Sequence, residues 1–342
     1  MFEEKIKKEL SDWRSIVAKY QIPSTKKAIL QIVTSFAPFL ALWTIMYFTY
    51  GYSKLLTLGL ACVNAFFLVR IFIIQHDCGH QSYFGSKTWN NIVGTISSYF
   101  STIPFHYWAR THSYHHSHTG MLEYRDIGDI DFLTVEEYRK KSKWAKFWYR
   151  MFRTPFVLFL VVPVVYMLVN LRLPLISKQQ IKNMNRRQIL NNVGILVAYV
   201  LLGFLLGWQR FLFIQLSILA AFSIIAFWFF YIQHQHEHAY FTWKENWDFL
   251  VASIRGSTFY KLPRLFTWLT GNIGYHHIHH LSSLIPSYNL VKCSEENPIL
   301  NKYVTTVSFW DSLKLINCKL WDEKQGRMIS FKEYRRLEKM AA

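Results

Sequence analysis

Four stretches of this 342-residue chain carry almost no charge, and they restrict what it can fold into. Residues 28–50, 189–208 and 211–232 contain no charged residue, and residues 53–75 contain only Lys54 and Arg70. Each run is long enough to cross a bilayer core as a helix, which takes about 20 residues. Lys54 and Arg70 fall near the two ends of their run, where long basic side chains are expected to snorkel to water. Only a few residues separate the members of each pair, the second around Gly207-Trp-Gln-Arg210, so the runs make two hairpins. The fold class expected is an all-α integral membrane protein of about four transmembrane helices, with interfacial helices and a cytoplasmic helical cap.

Composition agrees. Charged residues make up 18% of the chain, against about a quarter in soluble domains. Aromatic residues, also 18%, exclude a fully disordered chain. The net charge of +18 could suggest nucleic acid, but that reading needs a basic patch on a soluble fold. The apolar runs argue against it. The four cysteines show no CxxC spacing and suggest no disulfide framework.

Residues 1–22 read as an amphipathic helix ended by Pro23. Ile6, Leu10, Trp13 and Val17 form one face, with lysines between them, as in a helix lying on anionic lipid. The first residues lack the layout of a cleaved signal peptide, so the N-terminus is read as retained and cytoplasmic. The second run then returns His76 to the cytoplasm. A full crossing by the apolar segment 155–171, interrupted by Pro163, would place His234 on the opposite face from His76. It would also place Arg172, Lys178, Lys182, Arg186 and Arg187 outside, against the positive-inside bias. We therefore read 155–171, and 89–107, as interfacial or dipping segments. The chain divides into one domain over 1–342: an amphipathic start (1–26), a first hairpin (27–75), a polar and interfacial segment (76–188), a second hairpin (189–232) and a cytoplasmic segment (233–342).

All 14 histidines fall in four places: 76–80, 106–118, 234–238 and 276–280. His76 and His80 form an HxxxH pair, and residues four apart share a helix face. His112, His115 and His116 form HxxHH, and His276, His279 and His280 repeat it. Imidazole suits Zn, Cu, Fe and Ni, yet eight nitrogens exceed the four that one tetrahedral zinc takes. Two metals with four or five ligands each are the simplest arithmetic, and two irons fit an all-imidazole shell best. His106, His118, His236, His238 and His277 are read as ordinary packing or loop histidines.

HDCGH at 76–80, HSYHH at 112–116 and HHIHH at 276–280 resemble the three histidine boxes of the membrane fatty acid desaturases. The resemblance spans roughly residues 30–295. Box one, together with Phe230-Tyr-Ile-Gln-His234 before box three, looks most like the bacterial acyl-lipid desaturases of the Δ5 and Δ12 type. The resemblance implies a di-iron centre held by His76, His80, His112, His115, His116, His276, His279 and His280, with His234 as a ninth ligand. In the related acyl-CoA desaturases an Asn stands four residues before that ninth His; here Phe230 does. The activity implied is O₂-dependent removal of two hydrogens from adjacent methylenes, leaving a cis double bond and water. The acyl chain of a membrane lipid would lie in a narrow apolar tunnel between the hairpins.

No dinucleotide fold or fused haem motif is present, so electrons would come from a separate ferredoxin-like carrier. An acidic carrier could dock on Arg139, Lys140, Lys141, Lys143 and the C-terminal tail; lipid headgroups would be drawn to the same residues. Asp77, Asp126, Asp129 and Asn272 are candidates to orient ligand rings. A hydroxylase or ketolase on the same scaffold is the nearest alternative. A metal transporter would need ionisable ligands within its spans, and these runs contain no Asp, Glu or His. The expected location is the bacterial cell membrane, with active site and both termini on the cytoplasmic side.

Overall fold

The computed structural model describes residues 2–125, 130–172 and 185–341, so Asp126 and Asp129 lie outside the described residues. Two short helices, α1 (Phe2–Glu9) and α2 (Trp13–Ala18), precede the first hairpin of α3 (Thr25–Thr49) and α4 (Lys54–Gly79). Ser24 and Ser53 start α3 and α4 by accepting the backbone N–H of Lys27 and Leu56, which satisfies donors that a helix start leaves free. Next come α5 (Lys87–Ser101), α6 (Phe105–His118), α7 (Val135–Lys140), α8 (Lys143–Phe152) and α9 (Val162–Val165). The second hairpin is α10 (Asn185–Leu206) and α11 (Trp208–His234). The remainder carries α12 (Phe249–Arg255), α13 (Arg264–Leu269), α14 (His276–Leu281), α15 (Ser287–Glu296), α16 (Phe309–Leu315) and α17 (Phe331–Ala341).

The four long helices are inside-out compared with those of a soluble protein. On α3, Gln31 and Ser35 are buried while Leu30, Val33, Leu40 and Phe48 face outward. On α10, Leu196, Leu201, Phe204 and Leu205 are exposed. Water would not solvate such surfaces, whereas lipid tails do. By length and composition these four helices can cross a membrane. At about 1.5 Å per residue, the 15 residues of α5 are too short for the same span. Its small and polar residues Asn90, Gly94, Ser97 and Ser98 face inward. The Phe105 ring lies 2.3 Å from where a Cβ on Gly94 would stand, so only glycine allows α6 to approach this closely.

The segment around α9 is not a straight helix like the four long ones. Val157–Val161 and Tyr166–Asn170 wind as π-helix on either side of α9, and α8 meets this stretch at a 57° bend. Its entrance is tied to the cap through Tyr149, whose hydroxyl donates to the Lys319 carbonyl at 2.8 Å. Its exit is tied to the start of α10, where Gln188 Nε2 donates to the Leu171 carbonyl at 2.9 Å. Since α10 and α11 make a return trip, that start lies at the same end of the bundle as His234. These two ties hold both ends of the segment toward the end of the bundle that carries His234.

Two expectations are corrected. Residues 1–22 form two helices rather than one, and their apolar face is not free to lie on lipid. Ile6, Leu10, Trp13 and Val17 are buried against Leu250, Ile254, Ile278, Leu281 and Leu290 of α12, α14 and α15. The N-terminal segment thus covers the helix that carries box three, because burying that face against protein satisfies the same hydrophobic drive. Arg70 likewise does not snorkel. Its guanidinium is buried and donates to the Trp268 carbonyl, to Ser35 Oγ at 3.1 Å and to Thr34 Oγ1 at 3.3 Å, with its plane over the Trp268 ring. Arg70→Leu is expected to leave those acceptors unpaired, at about 1–3 kcal/mol for a buried group. A lower melting temperature of the detergent-purified protein would show it, and an unchanged one would refute the tie to α13.

The cap is mainly helical but includes two small sheets. Strands β1 (Leu133–Thr134), β4 (Leu320–Asp322) and β5 (Arg327–Ile329) form one, in the order β1-β4-β5. Strands β2 (Thr258–Lys261) and β3 (Thr305–Ser308) pair in parallel in the other. The Tyr260 N–H donates to the Gly274 carbonyl at 2.8 Å, which fixes the turn entering α14. All four cysteines are free.

Candidate metal centre

The end of α4 carries His76 and His80, α6 carries the HxxHH of box two, α14 that of box three, and α11 ends on His234. All nine expected ligands converge. His76, His80, His112, His116 and His279 form one group, and His115, His234, His276 and His280 form a second. Within each group, one ring nitrogen per residue lies within 4.8 Å of all the others.

Helix geometry explains how the boxes divide. In HxxHH the first and last imidazoles lie about one turn apart on one face, and the middle one points about 60° from the first and about 100° from the last. On α6 the pair His112 and His116 joins the first group and His115 the second. On α14 the arrangement is exchanged: His276 and His280 join the second group and His279 the first.

Spacing and charge fit a metal in each group. Two nitrogens about 2.1 Å from one ion lie about 3.0 Å apart at right angles and about 3.4 Å apart at tetrahedral angles. His116 Nε2 lies 3.1 Å from His112 Nε2 and 3.0 Å from His279 Nε2. His276 Nε2 lies 2.9 Å from His234 Nε2 and 3.0 Å from His280 Nε2. These separations are of the size expected for imidazoles around one ion. The Nε2 atoms of His76 and His80 are buried without a hydrogen-bond partner. Burial, and then the neighbouring imidazoles, hold His112, His116, His279 and His280 well below the ordinary histidine range. The rings are therefore neutral at physiological pH, with lone pairs free for a cation.

Outer contacts orient the rings. His76 Nδ1 donates to Asp77 Oδ1 at 2.9 Å, and Asp77 Oδ2 accepts the Ser287 N–H at 2.6 Å. His234 Nδ1 faces the Gly256 carbonyl at 3.2 Å, and His280 Nδ1 faces Thr119 Oγ1 at 3.4 Å. Asp77 is thus where the sequence suggested. Asn272 is not: its amide donates to the Ser287 carbonyl at 3.0 Å and reaches no ligand ring. Sequence reasoning missed Thr119, Gly256 and Ser287, and only Thr119, one turn beyond His115, had a local signal. Of the histidines set aside, His277 contacts Asn301 Oδ1 at 3.0 Å and His118 faces Ser117 and the Tyr114 carbonyl. His236 is fully buried but belongs to neither group.

A narrow apolar cavity of about 150 Å³ reaches His76, His112 and His276. Val69 and Phe72 of α4, Trp108 of α6, and Ala226 and Phe230 of α11 line it. One wall, with Pro163 and Met167, comes from the bent segment, so the space between the hairpins is closed by a third element. Phe230 packs its ring 5.5 Å from both His115 and His234, an apolar contact one turn before the ninth histidine.

The family model for fatty acid desaturases matches residues 53–310, which includes every one of the nine histidines. A fatty acid desaturase of Bacillus subtilis is 39% identical over 332 residues, 97% of this chain and 94% of its own. An sn-1 oleoyl-lipid 12-desaturase of Picosynechococcus sp. is 26% identical, over 79% of this chain and 78% of its own. An sn-1 acyl-lipid omega-3 desaturase (ferredoxin) of Nostoc sp. is 28% identical, over 71% and 68%. With two imidazole clusters at the ends of membrane helices and a match over most of its length, the chain belongs to the fatty acid desaturase family.

Proposed function

We propose that the chain is an O₂-dependent acyl-lipid desaturase that introduces a cis double bond into a membrane lipid's acyl chain. The observation that carries this reading is the narrow apolar cavity ending on histidines of both groups. His76, His80, His112, His116 and His279 would hold one iron, and His115, His234, His276 and His280 the other. Bound there, the two ions supply the O₂ chemistry that removes hydrogen from unactivated methylenes. The protein's own part is positioning and exclusion of water. Phe72, Trp108 and Phe230 give the cavity a mainly apolar wall suited to an acyl chain, with Thr111, Ser223 and Gln233 as its few polar neighbours besides the histidines. Asp77 accepts the Nδ1 proton of His76, and the Gly256 carbonyl that of His234, which leaves each Nε2 lone pair facing its group.

Electrons would come from a ferredoxin-like carrier, the donor named for the Nostoc relative. The basic stretch suggested for docking is only partly free. Arg139 pairs with Glu136 and Glu338, and beyond Lys143 the helix α8 exposes Trp144, Phe147 and Phe152. That combination supports anchoring on anionic lipid at this face. The active site and both termini would then face the cytoplasm of a bacterial cell.

Fatty-acid mass spectrometry of bacterial membranes carrying wild-type protein or His115→Ala tests the reading. New double bonds are expected with the wild type and only background with the variant. Equal unsaturation would refute a role for box two, and hydroxy or keto products without new double bonds would identify the related oxidations instead.

A further inference from the structure

A second apolar cleft, of about 590 Å³, lies beyond the cavity that reaches the histidines. This is within the range of about 300–1,000 Å³ typical of ligand sites. Its back wall is built from the spanning helices, with Phe66 of α4 and Ile225 and Trp228 of α11. Its front is Leu262 after β2 and the short helix α16, whose Trp310 and Leu313 are 73% and 40% exposed. Phe229 lines both spaces, so one ring forms a shared wall between them.

We propose that this cleft takes the second acyl chain of the lipid whose first chain enters the histidine-bearing cavity. The inference rests on the acyl-lipid reading above and extends it to how a two-chain substrate is seated. The occupant should be a hydrocarbon chain, since the wall belongs to helices at membrane depth and the lining residues offer almost no polar group. The two chains of one lipid diverge from a common head group, and two apolar spaces sharing one wall are arranged to receive them. The rim suits an anionic head group: Lys261 and Arg264, on either side of Leu262 and Pro263, are exposed and form no ion pair among the described residues. Lateral entry from lipid would pass the exposed face of α16.

The test compares a diacyl phospholipid with the corresponding single-chain lysophospholipid in proteoliposomes holding the complete, iron-loaded enzyme and a reducing system. Leu313→Trp and Ile225→Trp fill the cleft without touching the histidine-bearing cavity. The ratio of diacyl to single-chain turnover is expected to fall about tenfold, the cost of displacing about two buried methylenes. An unchanged ratio would overturn the proposal. A wild-type enzyme that converts only a soluble thioester would instead overturn the acyl-lipid reading itself. A second measurement needs no variant. A phospholipid with a diazirine on its non-reacting chain is photolysed with wild-type protein, and the adducts are mapped by mass spectrometry. Adducts at 224–228, 260–266 and 309–313 are expected; adducts confined to the outer face of α10 would refute the site.

Discussion

His279→Ala and His280→Ala, at adjacent positions, are expected to deplete different metal ions. His279 faces the group of five built on His76, His80, His112 and His116, whereas His280 faces the group of four with His115, His234 and His276. Loss of an outer-shell partner alone costs about 10–100-fold in metal affinity or activity, so loss of a ligand should cost at least about 100-fold. Double-bond formation should fall to background in both variants, and bound iron from two toward one per chain. Mössbauer spectra of the two should differ, since one retains the five-ligand ion and the other the four-ligand ion. Retention of both irons, or of full turnover, in either variant would contradict the ligand assignment.

Asp77→Ala is expected to have the next largest effect. The carboxylate is buried, accepts from His76 Nδ1 and also takes the Ser287 N–H at the start of α15. Without it the His76 ring loses the contact that fixes its tautomer and orientation, for a loss of about 10–100-fold in metal affinity. The orphaned Ser287 N–H adds about 1–3 kcal/mol of destabilisation. Iron retained against a graded chelator and thermal melting report the two effects separately. Asp77→Asn keeps an oxygen acceptor and should recover part of the affinity. If Asp77→Ala bound iron as tightly as the wild type, the orienting role would be wrong.

Local pattern went far in this protein because its functional groups repeat at helical spacing. The four spans were legible because their outward faces meet lipid, which leaves a charge-free run in the sequence. Spacing of three and four residues placed the imidazoles of each box on one side of a helix. Features depending on distant partners were not legible. The amphipathic face of 1–22 looks the same whether it meets lipid or the back of α14, and only packing chose the latter. Arg70 near the end of a span has the composition of a snorkelling residue, and the Trp268 carbonyl that captures it is 198 positions away. Gly256 and Ser287 act through a backbone carbonyl and N–H, which carry no signature in sequence, and Thr119 offered only its place one turn beyond His115.

The sequence by itself determined a four-span helical membrane protein with nine histidines suited to two metals, because hydrophobic run length and helical period are local properties. Which histidine joins which group was decided only in the tertiary structure. The α6 and α14 boxes have identical spacing, yet they present their paired imidazoles to opposite groups. That exchange follows from how the two helices face each other across the site. The same packing brings the bent 157–170 segment against α4 and α11 to close the cavity, a contact that no local periodicity encodes.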